Sequence, residues 1–109
     1  MLEIAETLGK IKTLENLVRD GMEDDVIVKT VDKTIDKLLF YRREKYERDI
    51  KELQEKMNLF EKRYKMDSED FYKRFNEGNL GDDMDYIEWF ALYDMKKRIE
   101  ERMKGLLRG

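Results

Sequence analysis

The sequence predicts an all-α protein: an N-terminal helix, a long central helix with a coiled-coil seam, a short helix, and a long C-terminal helix packing back as an antiparallel hairpin. Three observations predict it. Proline is absent and strong helix formers dominate. Apolar residues recur at steps of three and four, the spacing of a buried helical face. Acidic residues and glycines punctuate the chain where helices would start and stop. The 109 residues read as a single helical domain, with helices over 1–21, 24–65, 68–77 and 83–107.

Charged residues make up 45 % of the chain and hydrophobic residues 40 %. Scattered, such a mixture would not fold. Here the apolar positions are periodic, so a packed structure is expected. Histidine and cysteine are both absent, which excludes imidazole bases, thiolate nucleophiles, disulfides and Cys/His metal sites. The Glu- and Lys-rich charge set, with Gln54 the single glutamine, predicts a thermophilic source. No apolar run reaches the ~20 residues that span a bilayer. The first residues, MLEIAETLGK, lack a signal-peptide pattern. A cytoplasmic protein without membrane contact is the expectation.

The first segment places Leu2, Ile4, Ala5, Leu8, Ile11, Leu14, Leu17 and Val18 at helical spacing. Gly9 weakens it and Gly21 suits a stop. The second begins at Asp24 or Asp25, either of which could cap. Its β-branched opening favours a strand locally, but Ile27, Val31, Ile35 and Leu38 share one helical face. Further on, Tyr46, Ile50, Leu53, Met57, Phe60 and Tyr64 recur at steps of 4, 3, 4, 3 and 4, a heptad seam. Two successive steps of four, Arg42 to Tyr46 to Ile50, interrupt it. A forty-residue helix is ~60 Å long. The helix must break near Tyr41–Arg43 or pair with another chain. A homodimer is expected, with Ile35, Leu38, Tyr46, Ile50, Leu53, Met57 and Phe60 as its seam.

The third segment opens with Asp67-Ser68-Glu69-Asp70, which supplies a cap and acidic first-turn residues. Gly78 ends it, and Gly78 and Gly81 are both available for positive φ in the turn. Ser68 and Asp82 are expected to cap the two helices of this hairpin, with Phe71, Phe75, Trp89 and Phe90 as its core. The last helix presents Ile87, Ala91, Met95, Ile99, Met103 and Leu106 as one stripe. Its closing turns, which include Arg108, are basic.

Charge runs in blocks. Residues 66–95 hold two basic and nine acidic side chains, a net −7, between flanks that are each +4. The carboxylates Glu77, Asp82, Asp83, Asp85 and Glu88 could in principle run acid/base or two-metal chemistry. Helix capping and a solvated acidic turn explain them more simply, and the spacing does not match a calcium loop. No catalytic residue, metal or cofactor is expected. Arg42, Arg43, Lys45 and Arg48 form the best basic patch near aromatics, but Glu44, Glu47 and Asp49 interleave with it, which disfavours nucleic acid.

The run from Phe60 to Trp89 holds Phe60, Tyr64, Met66, Ser68, Glu69, Phe71, Phe75, Gly78, Leu80, Gly81, Asp82, Asp85, Glu88 and Trp89. In this pattern it resembles a set of small archaeal and cyanobacterial helical proteins, often identified as the antitoxin-like partner of a neighbouring toxin gene. The resemblance implies a non-enzymatic protein that binds a small basic toxin, and it brings no catalytic residues. Glu77, Asp82, Asp83, Asp85 and Glu88 would then face the partner. The first half of the chain follows no DNA-binding antitoxin pattern. The alternative is a homodimeric coiled-coil structural or adaptor protein with no toxin.

Overall fold

A computed structural model describes residues 3–20 and 25–107. They form four helices: α1 (Ile4–Asp20), α2 (Asp25–Tyr64), α3 (Ser68–Asn76) and α4 (Met84–Leu107). No strand occurs among the described residues. Gly21, Asp24 and Arg108, which the sequence assigned to a helix stop, a cap and a basic terminus, lie outside them. The chain divides into two units, Met1–Phe40 and Tyr41–Gly109, and α2 contributes to both. α2 is a single α-helix through Tyr41–Arg43, so the break considered for that position does not occur.

In the first unit, α1 buries no residue. Ile4, Leu8, Ile11, Leu14 and Leu17 are 42–77 % exposed. The charges beside this stripe pair along the helix, Lys12 with Glu15 at 3.4 Å and Arg19 with Glu15 at 2.6 Å. Such exposed pairs contribute only a few tenths of a kcal/mol each. Along the first half of α2, Ile35 and Leu38 are also exposed.

The second unit contains the core: Leu53, Met57 and Phe60 of α2, Phe71 of α3, and Trp89 and Leu92 of α4. Met57, Phe71 and Trp89 are fully buried. Phe71 stacks on Trp89 with ring centroids 3.9 Å apart and nearly parallel planes, and Phe60 covers Trp89 at 5.7 Å. Lys96 of α4 donates to Gln54 Oε1 of α2 at 2.7 Å. Phe60 beside Trp89 and Gln54 beside Lys96 define an antiparallel register.

This register corrects two expectations. The heptad seam exists, but α4 of the same chain fills it. Leu53, Met57 and Phe60 are buried there, and Tyr46 and Ile50 are half-buried along its continuation. None of these three core residues is open to a second chain, whereas Ile35 and Leu38 remain exposed. On α4 the inward stripe is Trp89, Leu92, Lys96, Ile99, Met103 and Leu106, at steps of 3, 4, 3, 4 and 3. Ile87 and Met95, placed on the core stripe by their aliphatic character, face solvent. The large aromatic surface of Trp89 outweighs them in selecting the buried side.

The turns follow from backbone chemistry. At the end of α2, Met66 N–H donates to Glu61 O at 3.3 Å across Lys65, which has φ 51°. This is a Schellman closure with a non-glycine residue in the left-handed position. At the end of α3, Gly78 (φ 74°) takes that position, with Gly78 N–H donating to Phe75 O and Asn79 N–H to Arg74 O, both at 3.1 Å. Gly78 is the only described glycine with positive φ, so the expected second left-handed glycine, Gly81, is not one.

Candidate partner-binding surface

The caps differ from expectation, and the difference organises the site. Asp67, not Ser68, is the N-cap of α3, accepting from Asp70 N–H at 2.8 Å. Asp83, not Asp82, closes the start of α4. Its carboxylate accepts from Asp85 N–H at 2.9 Å and its carbonyl from Tyr86 and Ile87 N–H. In both cases the aspartate immediately before the first helical residue reaches the unpaired amides of the first turn.

Ser68 is released for another role. It is buried, and its Oγ accepts from Trp89 Nε1 at 2.9 Å and donates to Glu61 Oε2 at 2.8 Å. Ser68 N–H donates to the same Glu61 oxygen at 2.8 Å. One small polar network therefore joins α2, α3 and α4 and satisfies the indole N–H. Sequence reasoning missed both Ser68 in this role and Glu61. The available signal was the tryptophan, because a buried indole N–H needs an acceptor.

Asp85 is the second tie. Its Oδ2 accepts from Tyr64 Oη at 2.6 Å and from Arg63 at 2.7 Å, joining the last turn of α2 to the first turn of α4. The Tyr64 hydroxyl and the Arg63 guanidinium hold the Asp85 carboxyl below the usual carboxylate range. The same hydrogen bond, with burial and the charge of Asp85, raises the Tyr64 phenol. Burial raises Tyr93 as well.

The five predicted partner-facing carboxylates therefore separate. Asp85 is half-buried and engaged, and Asp83 caps a helix. Glu77 is exposed and accepts from Asn79 Nδ2 at 3.1 Å. Asp82 and Glu88 are exposed. No group of three such carboxylates converges to hold a metal ion among the described residues.

The four predicted hairpin-core residues come together. Phe71 and Trp89 are buried, and the half-buried Phe75 and Phe90 lie 4.9 Å apart at the edge of the core. Phe90 also stacks on Tyr72 at 5.1 Å, Tyr72 on Tyr93 at 4.3 Å, and the Lys97 ammonium lies over Tyr72. Beside Tyr72 an open depression is lined by Asp94, Lys97, Arg98, Glu101 and Arg102, a mixture of both signs. In the basic patch, Lys45 pairs with Asp49 at 3.1 Å and Arg42 lies over the Tyr46 ring. Arg43 is half-buried and Arg48 exposed. No described helix is long and apolar enough to cross a membrane. No protein-family model, curated protein or solved structure matches this chain.

Proposed function

We propose that this chain is a non-enzymatic protein-interaction module, similar to the antitoxin of a toxin–antitoxin pair, that neutralises a small basic protein by binding it. The observation that carries the reading is the net −7 block over 66–95, mounted on a hairpin built around an aromatic core. Glu77, Asp82 and Glu88 project from that turn. Exposed carboxylates on a folded hairpin meet Arg and Lys side chains at less ordering cost than those of a disordered segment, and complementary charge speeds encounter. The absence of His and Cys is consistent with binding rather than catalysis. The reading places the protein in the cytoplasm of a thermophilic archaeon.

Co-expression with the product of the adjacent gene tests the proposal. A complex should elute together on size exclusion, and Asp82→Lys with Glu88→Lys should weaken it at least tenfold while leaving the fold intact. Separate elution of the two wild-type proteins would remove the reading. A structural adaptor without a toxin is the second reading, favoured by the exposed apolar stripe of α1.

A further inference from the structure

α4 carries apolar residues on two sides. Trp89 and Leu92 are buried in the core, Lys96 reaches Gln54 of α2, and Tyr86 and Phe90 meet the rings of Phe71 and Tyr72 on α3. The opposite side holds a second stripe, exposed along its length. Met84 is 77 % exposed, Ile87 47 % and Met95 50 %, and Ala91 is exposed among them. The four recur at steps of 3, 4 and 4, so they share one helical face.

The charge around this face has one sign. Between Arg74 and Lys96 the chain has six carboxylates and no lysine or arginine. Asp83 and Asp85 are engaged within the hairpin. Glu88 is exposed, and no basic residue lies within seven positions of it on either side. It stands at i+4 from Met84 and i−3 from Ala91, on the border of the stripe. At the far end Asp94 pairs with Arg98 at 3.1 Å. An apolar strip edged by carboxylates is complementary to an apolar strip edged by cations.

The spacing indicates the conformation of the occupant. Met84, Ile87, Glu88 and Ala91 stand at i, i+3, i+4 and i+7, the four corners of a hole that accepts one side chain of a facing helix. Ala91, Asp94, Met95 and Arg98 are the corners of the next hole, one heptad on. An extended peptide would need a sheet edge, and no strand occurs among the described residues. A second copy fits poorly. Antiparallel packing about Ala91 would set Glu88 beside the partner's Asp94, and parallel packing would set it beside the partner's Glu88, like charges in both cases.

We infer that this face of α4 docks a cationic amphipathic helix, which seats apolar side chains one heptad apart in the two holes and brings a lysine or arginine to Glu88. The inference deepens the reading above and rests on it for the occupant's being a protein.

Fluorescence anisotropy with the full chain and a labelled model peptide tests it. The peptide has about three heptads, with leucine at the a and d positions and lysine elsewhere. It should bind the wild type, and a version with glutamate for every lysine should bind about tenfold more weakly or not at all. Ile87→Gln with Met95→Gln leaves the net charge unchanged and should weaken binding by about tenfold. Glu88→Gln should weaken it and reduce its salt dependence. Leu8→Gln with Leu14→Gln, on the exposed stripe of α1, should bind as the wild type does. Far-UV circular dichroism and Trp89 emission confirm that each variant is folded. Equal binding of the lysine and glutamate peptides, full binding by the Ile87/Met95 variant, or loss of binding in the Leu8/Leu14 variant would each overturn the inference. So would light scattering in which the Ile87/Met95 substitutions turn a dimer into a monomer, since the occupant would then be a second copy. The peptide titration does not involve the adjacent gene product, so failure of co-elution and failure of this docking face are read separately.

Discussion

Replacing Ser68 with alanine removes one oxygen from the buried polar contact between α3 and α4. Ser68 Oγ is the acceptor for Trp89 Nε1 at 2.9 Å and a donor to Glu61 Oε2 at 2.8 Å. Trp89 is fully buried, so its N–H would lose its partner without gaining water. A buried donor left unpaired costs about 1–3 kcal/mol. Glu61 keeps the Ser68 N–H, so its loss is partial. The methyl of alanine fills nearly the same volume, and its better helix propensity returns a few tenths of a kcal/mol. The expected net loss is about 2 kcal/mol, or roughly 10 °C in Tm for a unit of this size. Urea denaturation followed by far-UV circular dichroism measures it as a lower midpoint at unchanged m-value. Trp89→Phe removes the donor, so Ser68→Ala in that background should cost at least about 1 kcal/mol less, what remains being the partial loss at Glu61. Circular dichroism is required there, because Trp89 is the only tryptophan. A cost below about 0.5 kcal/mol in the wild type, or the same cost in both backgrounds, would refute the reasoning.

Three further outcomes are expected. Gly78→Ala should destabilise by about 1 kcal/mol by denaturation. A Cβ there meets nothing within 4 Å, so the whole cost is the positive φ of 74°. Lys65→Gly relaxes the φ of 51° at the end of α2 and should raise stability by about 0.5 kcal/mol, the left-handed strain relieved less the added flexibility of the unfolded chain. Stability should also fall at both pH extremes through the Asp85 tie. The Asp85 pKa is depressed on folding, so its contribution is present above the unfolded value and lost as pH falls below about 4. The Tyr64 pKa is raised, so its contribution is present below the unfolded value and lost as pH rises above about 10. The difference in urea midpoint between wild type and Asp85→Asn, followed across pH, should shrink at both ends.

Local chemistry carried the helices. The 3,4 spacing overrode the β-branched run Val26–Val28, because burial periodicity acts over many residues and propensity over one. Gly78 and the acidic clusters marked the turn for the same local reason. The choice between Asp67 and Ser68, or Asp82 and Asp83, was not legible, since either member of each pair can reach the first-turn amides. The Glu61–Ser68–Trp89 and Arg63–Tyr64–Asp85 contacts were also hidden. The partners lie 7 to 22 residues apart and meet only once the helices that carry them have docked.

The sequence by itself determined that this chain is helical, where its hairpin turns, and that α2 buries a heptad seam from Tyr46 to Tyr64. Only the tertiary structure decided what fills that seam. Periodicity reports that a face is buried and says nothing of the surface that buries it. The Gly78 turn sends α4 back antiparallel, so Trp89 and Leu92 reach Phe60, Met57 and Leu53 before any second chain can. Periodicity gave α1 an apolar face by the same local rule, yet among the described residues that face stays exposed.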